Sequence, residues 1–219
     1  MTTRKPSANK ASSDEAALPP GRKPRCHWAT GVPDFYENYH DEEWGVPCFD
    51  EHKMFEMLIL EGAQAGLSWQ TVLAKRGNYR RAFDDFDAQT IARYGEAKIE
   101  KLLADAGIIR NRLKIRAVVT NAQALLRLRE TAARPAFALT DFFWRFVDGR
   151  PIQGKRRRRE DVPATTPVSD ALSKALTQAG FKFVGSTIVY AHMQACGMVN
   201  DHLLGCWRHD AVRALGEAL

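Results

Sequence analysis

The sequence predicts an all-α domain assembled from short helices. Apolar residues recur at three- and four-residue spacing through most of the chain, while the two-residue alternation of a half-buried strand is scarce. Capping side chains stand in front of several of these apolar stripes. No internal repeat is present.

Taken in chain order, residues 1–25 read as a disordered basic tail rich in Ser, Ala, Lys and Pro. Next, Trp28, Tyr36, Tyr39 and Trp44 crowd into a polar, loop-like stretch with Asp41, Glu42 and Glu43. Asp50 can cap a helix whose Met54, Phe55, Leu58 and Ile59 form one stripe, loosened at its end by Gly62 and Gly66. A second helix runs through Trp69, Val72 and Leu73. Asp87 can cap a short helix through Ile91. Ile99, Leu102 and Leu103 mark another, broken at Ala106-Gly107, and a longer one carries Ile115, Val118, Val119, Ala122 and Leu125. Phe142, Phe143, Phe146 and Val147 suggest a helix ended near Gly149. Residues 150–167, with three prolines and the run Lys155-Arg156-Arg157-Arg158-Arg159, read as a basic loop. Ser169 or Asp170 can cap a helix stopping at Gly180. A long helix is expected from about Val184 to Val199. Residues 207–219 are expected to be a frayed tail or a short surface helix, which leaves 26–206 as the domain.

The chain has 219 residues, 45% hydrophobic, enough for a real core. Its net charge of +6 is unevenly placed. Residues 1–25 hold six Lys/Arg against Asp14 and Glu15, leaving +2 for the remainder. Bulk charge therefore argues only weakly for a polyanion partner, although a local basic patch can still serve one. No apolar run is long enough to cross a membrane, and the N-terminus lacks a secretory apolar core. A cytoplasmic monomer is expected, with its four cysteines as thiols or metal ligands rather than disulfides.

Glu61 is the sharpest anomaly. It lies in the apolar run Met57-Leu58-Ile59-Leu60-Glu61-Gly62, with Trp69 within two turns. A desolvated carboxylate needs a cation or hydrogen-bond donors. Beside aromatic plates it can form a pocket for a flat, positively charged ligand. Most of the rings at 28–44 serve a satellite core on this view, and one or two line that pocket with Trp69.

His202 and Cys206 stand one helical turn apart, and Cys26 with His40 supplies a second pair. Two Cys and two His make a closed tetrahedral set suited to a structural Zn²⁺ tying the chain ends together. His27 is a competing ligand, and the alternative is four unrelated residues. Cys48 and Cys196 read as buried small hydrophobes. The segment from Leu102 to Arg112 reads as helix, Gly-containing turn, helix. Amides at the second helix's start, near Gly107, can hold a phosphate, with Arg110, Arg112, Lys114 and Arg116 close by. The alternative is an ordinary αα corner. Leu67, in Gly66-Leu67-Ser68, can wedge into a base stack or simply pack between helices.

Taken together these segments resemble a known family. Tyr39-His40-Asp41-Glu42-Glu43-Trp44-Gly45-Val46-Pro47, Leu60-Glu61-Gly62 through Ala65-Gly66-Leu67-Ser68-Trp69, Asp105-Ala106-Gly107-Ile108-Ile109-Arg110, Gly180-Phe181-Lys182-Phe183-Val184-Gly185 and Asn200-Asp201-His202 with Cys206 occur in order. The chain is similar to the bacterial DNA-3-methyladenine glycosylase I family over about Cys26 to Cys206. The resemblance implies a helix-hairpin-helix glycosylase fold with one structural zinc per chain held by Cys26, His40, His202 and Cys206. It implies a lesion-contacting carboxylate at Glu61, stacking rings at Trp69 and Tyr39 with Tyr36, Trp44 and Trp28 nearby, and double-stranded alkylated DNA as partner. It further implies a monofunctional enzyme that flips out 3-methyladenine and leaves an abasic site. Three features depart from the family pattern: Ala63 replaces a glutamine, the Cys26–His40 spacing is one residue longer, and the arginine run is added. A lesion-blind zinc DNA-binding module and a zinc hydrolase are the competing classes; the second needs an open coordination position that four protein ligands deny.

Overall fold

A computed structural model of the chain describes residues 23–219, so the tail expected over 1–22 lies outside the described residues. The described part is mostly helical, with eleven α-helices: α1 Asp34–Glu42, α2 Glu51–Gln64, α3 Trp69–Leu73, α4 Arg76–Ala82, α5 Ala88–Ile91, α6 Glu96–Ala104, α7 Arg112–Thr131, α8 Ala138–Trp144, α9 Pro167–Gln178, α10 Ser186–Ala195 and α11 Arg208–Glu217. Side chains set several starts. Asp50 accepts from the Lys53 amide at 3.0 Å ahead of α2, Ser68 caps α3, Asp87 caps α5 and Asn111 caps α7. Each satisfies an amide that has no partner within its own helix.

Helix α2 is the hub. It packs against α3, α7, α8 and α10. Every residue from Met54 to Ala63 is buried, so the single stripe expected from Met54, Phe55, Leu58 and Ile59 is too narrow. A helix enclosed on all sides must place its polar side chains among neighbours too, which is why glutamates appear in it.

Four other expectations need correction. The ring-rich stretch 34–42 is a helix, α1, with Tyr36, Tyr39 and His40 on its buried side. The cap of α9 is Thr166 rather than Ser169 or Asp170: Thr166 and Ser169 exchange side-chain and backbone hydrogen bonds, and Pro167 sits at the first position. The helix expected to run to Val199 ends at Ala195. There Gly197 adopts φ +69° with its α-carbon against the backbone of Val46 and Pro47, a position with no room for a β-carbon. Val199–Asn200 then forms a strand, β2, paired in parallel with β1, Ile152–Gln153. That short ladder is the exception to an all-helical chain, and it orders the segment read as a basic loop. Finally, α4 had no forecast, because its sequence Arg76–Ala82 shows little apolar periodicity. The expected C-terminal tail contains α11, anchored by the fully buried Val212. Among the described residues no helix is long and apolar enough to cross a membrane.

Candidate active site and Cys-His cluster

Three glutamates of α2 are buried: Glu51, Glu56 and Glu61. Glu51 accepts from Arg129 at 2.7 Å and from the Leu139 amide at 2.8 Å. Glu56 is gripped by Arg76 and Arg80. Glu61 has neither kind of partner. Its Oε2 is buried without any hydrogen bond, and burial alone pushes its carboxyl up to about 8. Near neutral pH this carboxyl is therefore mostly in its neutral form.

Glu61 faces a cavity of about 190 Å³ walled by Tyr36, Tyr39, Trp28, Trp44 and Trp69, with Gln64 and Gln194 as amides. That volume is below the roughly 300–1,000 Å³ of pockets for drug-sized ligands, and it suits one ring system. Tyr39 and Trp69 stand 5.6 Å apart, tilted by 56°, so they make two walls rather than one stacked pair. The Tyr39 hydroxyl is also buried without a partner. Burial first, then the nearby Glu61 carboxylate, push the Tyr39 and Tyr36 phenols up. Two orphaned polar atoms, one acidic, belong to residues lining one aromatic slot. Such groups are costly unless a ligand answers them. The chemistry that answers both is a flat heterocycle carrying N–H donors and positive charge.

Cys26, His40, His202 and Cys206 come together next to this slot, all buried, with their ligand atoms within 4.8 Å of one another. The S···N edges are 3.4 Å (Cys206 to His40 Nε2), 3.6 Å (Cys206 to His202 Nδ1) and 3.7 Å (Cys26 to His202 Nδ1). Each histidine's other nitrogen is held: His40 Nδ1 by Asp41 at 2.8 Å, and His202 Nε2 against the Trp44 carbonyl at 2.9 Å. Arg25 in turn grips Asp41 at 2.7 Å. Ring orientation is thus fixed from behind, as metal-binding histidines require. Gly45, at φ +81°, allows the backbone to approach the His202 ring, where a β-carbon would sit 3.1 Å from it. The donor set and its edges fit a tetrahedral ion. Trp28 stacks edge-on against His40, Trp44 and Tyr36 at 5.1–5.4 Å, so the cluster and the slot share walls.

A profile of known sequences described as methyladenine glycosylase matches residues 28–209, which span the slot and three of the four cluster residues. The chain belongs to the methyladenine glycosylase family. Over 182 residues it is 50% identical to DNA-3-methyladenine glycosylase 1 of Escherichia coli (strain K12), covering 83% of this chain and 95% of that protein. A crystal structure of 3-methyladenine DNA glycosylase I matches with a TM-score of 0.80 at 52% identity, over 85% of this chain and 100% of that one. A structure on 3-methyladenine recognition by the Staphylococcus aureus enzyme matches at 0.79 and 34% identity, over 84% and 96%.

In this member of the methyladenine glycosylase family, α6 and α7 pack together around the turn at 105–111. The residues singled out there differ in availability. Arg110 is exposed and makes no hydrogen bond or ion pair among the described residues. Arg112 is paired with Glu100 at 2.6 Å. The Gly107 amide donates to Asp105 at 2.7 Å, and its carbonyl accepts from Asn78 at 3.1 Å. Leu67 protrudes, 41% exposed, from the turn between α2 and α3. Lys114, at the start of α7, donates to the Ala63 and Ala65 carbonyls at 2.8 and 2.6 Å. The turn at 105–111 and the Leu67 turn are therefore tied to each other and to the helix that carries Glu61.

Sequence reasoning missed Gln194 and Ala191 of α10, which close the slot from the far side. A glutamine within the apolar stretch Val189–Ala195 was the available signal. It also missed that the arginine run is not one feature. Arg156 reaches the buried Asp201 at 3.1 Å, beside His202 of the Cys-His cluster. Asp201 is further held by the Tyr190 hydroxyl and by Gln194 at 2.9 Å. Cys48 and Cys196 are buried as expected.

Proposed function

We propose that this protein is a monofunctional base-excision DNA repair glycosylase of the cytoplasm. It flips 3-methyladenine out of alkylated double-stranded DNA, hydrolyses its glycosidic bond and leaves an abasic site. The observation that carries this is Glu61, a buried carboxyl without a partner in an aromatic slot of single-base size. The names of the similar proteins support the same substrate.

Methylation at N3 makes adenine cationic and a good leaving group, so a strong general acid is not needed. Water adds its oxygen to C1′ and loses a proton to solvent. The N9–C1′ bond breaks with its electron pair passing to the ring, which departs neutral. Glu61 acts by selection. The cationic ring draws the carboxyl to its charged form, and that carboxylate accepts from the exocyclic amine. Trp69 and Tyr39 stack on the base, with Tyr36 and Trp44 completing the walls. One charge-assisted hydrogen bond plus stacking supplies roughly 3–5 kcal/mol of preference for the lesion. Undamaged adenine has neither the charge nor the weakened bond.

The α6–α7 pair serves as the helix-hairpin-helix element. Gly107 and Arg110 approach a phosphate, Arg112 joins them on release from Glu100, and Leu67 fills the space the base leaves. Cys26, His40, His202 and Cys206 would hold a structural Zn²⁺. With Zn–S near 2.3 Å and Zn–N near 2.0–2.1 Å, tetrahedral geometry would give S···N edges of about 3.6 Å, and the edges in the structure are 3.4–3.7 Å. Four protein ligands would leave no open position for metal-bound water, so such an ion would hold the fold rather than supply chemistry to the reaction. The chain acts as a monomer.

The test is incubation of the protein with methylated DNA followed by analysis of the released bases. Release of 3-methyladenine with abasic sites left behind is expected. Tight but lesion-blind DNA binding without base release would replace the enzyme by a DNA-binding module.

A further inference from the structure

We propose that Arg159 binds a backbone phosphate of the strand that carries the flipped nucleotide, at the end of a trench leading out of the Glu61 slot. The basic run divides by partner. Arg156 is committed to Asp201, and Arg158 pairs with Asp161 at 3.6 Å. The Arg159 guanidinium makes no hydrogen bond or ion pair among the described residues. It lines a second cavity, of about 450 Å³, together with His27. That cavity shares Trp28, Trp44, Gln64 and Gln194 with the Glu61 slot, so the two run together along one wall.

Charge in the trench favours an anion. Its one lining carboxylate, Asp201, is already occupied by Arg156, Tyr190 and Gln194. Arg159 is the lysine or arginine that lines this cavity among the described residues. A nucleotide whose base lies against Glu61 must carry its sugar and two phosphates out over the rim. A second cavity that shares four lining residues with the base slot and is lined by a free guanidinium suits that path, and arginine forks suit phosphate oxygens. The inference rests on the base-flipping reading above.

The test measures equilibrium binding to a duplex containing a tetrahydrofuran abasic site, as a function of salt, with wild type, Arg159→Ala, Arg159→Lys and Arg157→Ala. Binding is read without excision, so failure of base release in the methylated-DNA assay overturns the proposed activity and leaves this measurement intact. Arg159→Ala is expected to weaken binding about tenfold at moderate salt and to reduce the log–log salt slope by about 0.9, one phosphate contact. Arg159→Lys should recover most of the slope. Arg157→Ala, which removes the same charge from an exposed neighbour, should change affinity less than twofold. Equal effects of Arg159→Ala and Arg157→Ala, or an unchanged slope in Arg159→Ala, would overturn the assignment.

Discussion

Glu56 and Glu61 sit five residues apart on one buried helix and are opposite cases of one cost. Desolvation disfavours both charges, but Arg76 and Arg80 reverse it at Glu56 and hold that carboxyl below its usual range. Nothing reverses it at Glu61, whose carboxyl stays near 8 against an ordinary 4.5. Removing a partner from a buried pair leaves a stranded charge, so Glu56→Ala should destabilise by about 3–5 kcal/mol in denaturant titration. Glu61→Gln should not destabilise the fold at neutral pH, while preference for 3-methyladenine over undamaged adenine collapses in the excision assay. The pH dependence has a definite sign. Between about 4.5 and 8 the folded Glu61 keeps a proton that the unfolded chain has released, so raising pH across that window lowers stability. Urea midpoints of wild type should fall relative to Glu61→Gln over that range, with the two curves parallel below it. A constant offset at every pH would show that Glu61 is not held protonated.

The joint between α7 and α2 couples the turn at 105–111 to the slot. Lys114 places an ammonium on two carbonyls at the end of α2, where no intrahelical donors remain. Lys114→Met keeps the aliphatic stem and deletes the donors. It should lower stability by about 1–3 kcal/mol and speed amide hydrogen exchange across 63–69, the segment bearing Leu67 and leading to Trp69. Exchange confined to 112–118 instead would show that the joint stabilises α7 alone. The β1–β2 ladder does similar work at the other end: it delivers Asp201 and His202 directly after Asn200, and Arg156 from β1's side locks Asp201.

Across the whole molecule, the Cys-His cluster joins residues 176 apart in sequence, Cys26 and His202. Closing so long a loop constrains the unfolded chain strongly, and an ion held by four side chains would add its binding free energy to folding. Chelation of the proposed zinc should therefore lower Tm and shift the fluorescence of Trp28 and Trp44, which contact both the cluster and the slot. Readdition of Zn²⁺ should restore both signals. An unchanged melting curve after metal is removed to below stoichiometric amounts would show that the cluster holds together as thiols and imidazoles alone.

Much of this was legible in the chain. Local signals sufficed where the physics is local: Asp50 and Asp87 stand before apolar stripes, and the helices begin there. Glu61 could be singled out because an acid in an apolar run is expensive wherever it lands. The Cys26, His40, His202 and Cys206 set could be named because only certain side chains ligate metals. What sequence could not reveal depends on who sits opposite. Glu51, Glu56 and Glu61 look alike along the chain, and only packing brings Arg129, Arg76 and Arg80 to two of them. The end of α10 was decided by the Val46–Pro47 backbone against Gly197, 150 residues away. The basic run looked uniform, yet Asp201, Asp161 and an open cavity gave its arginines three different surroundings. Composition and spacing determined the helices, the ligand types and the one suspicious acid. Tertiary contact decided which charges were answered, and the unanswered one marks the site.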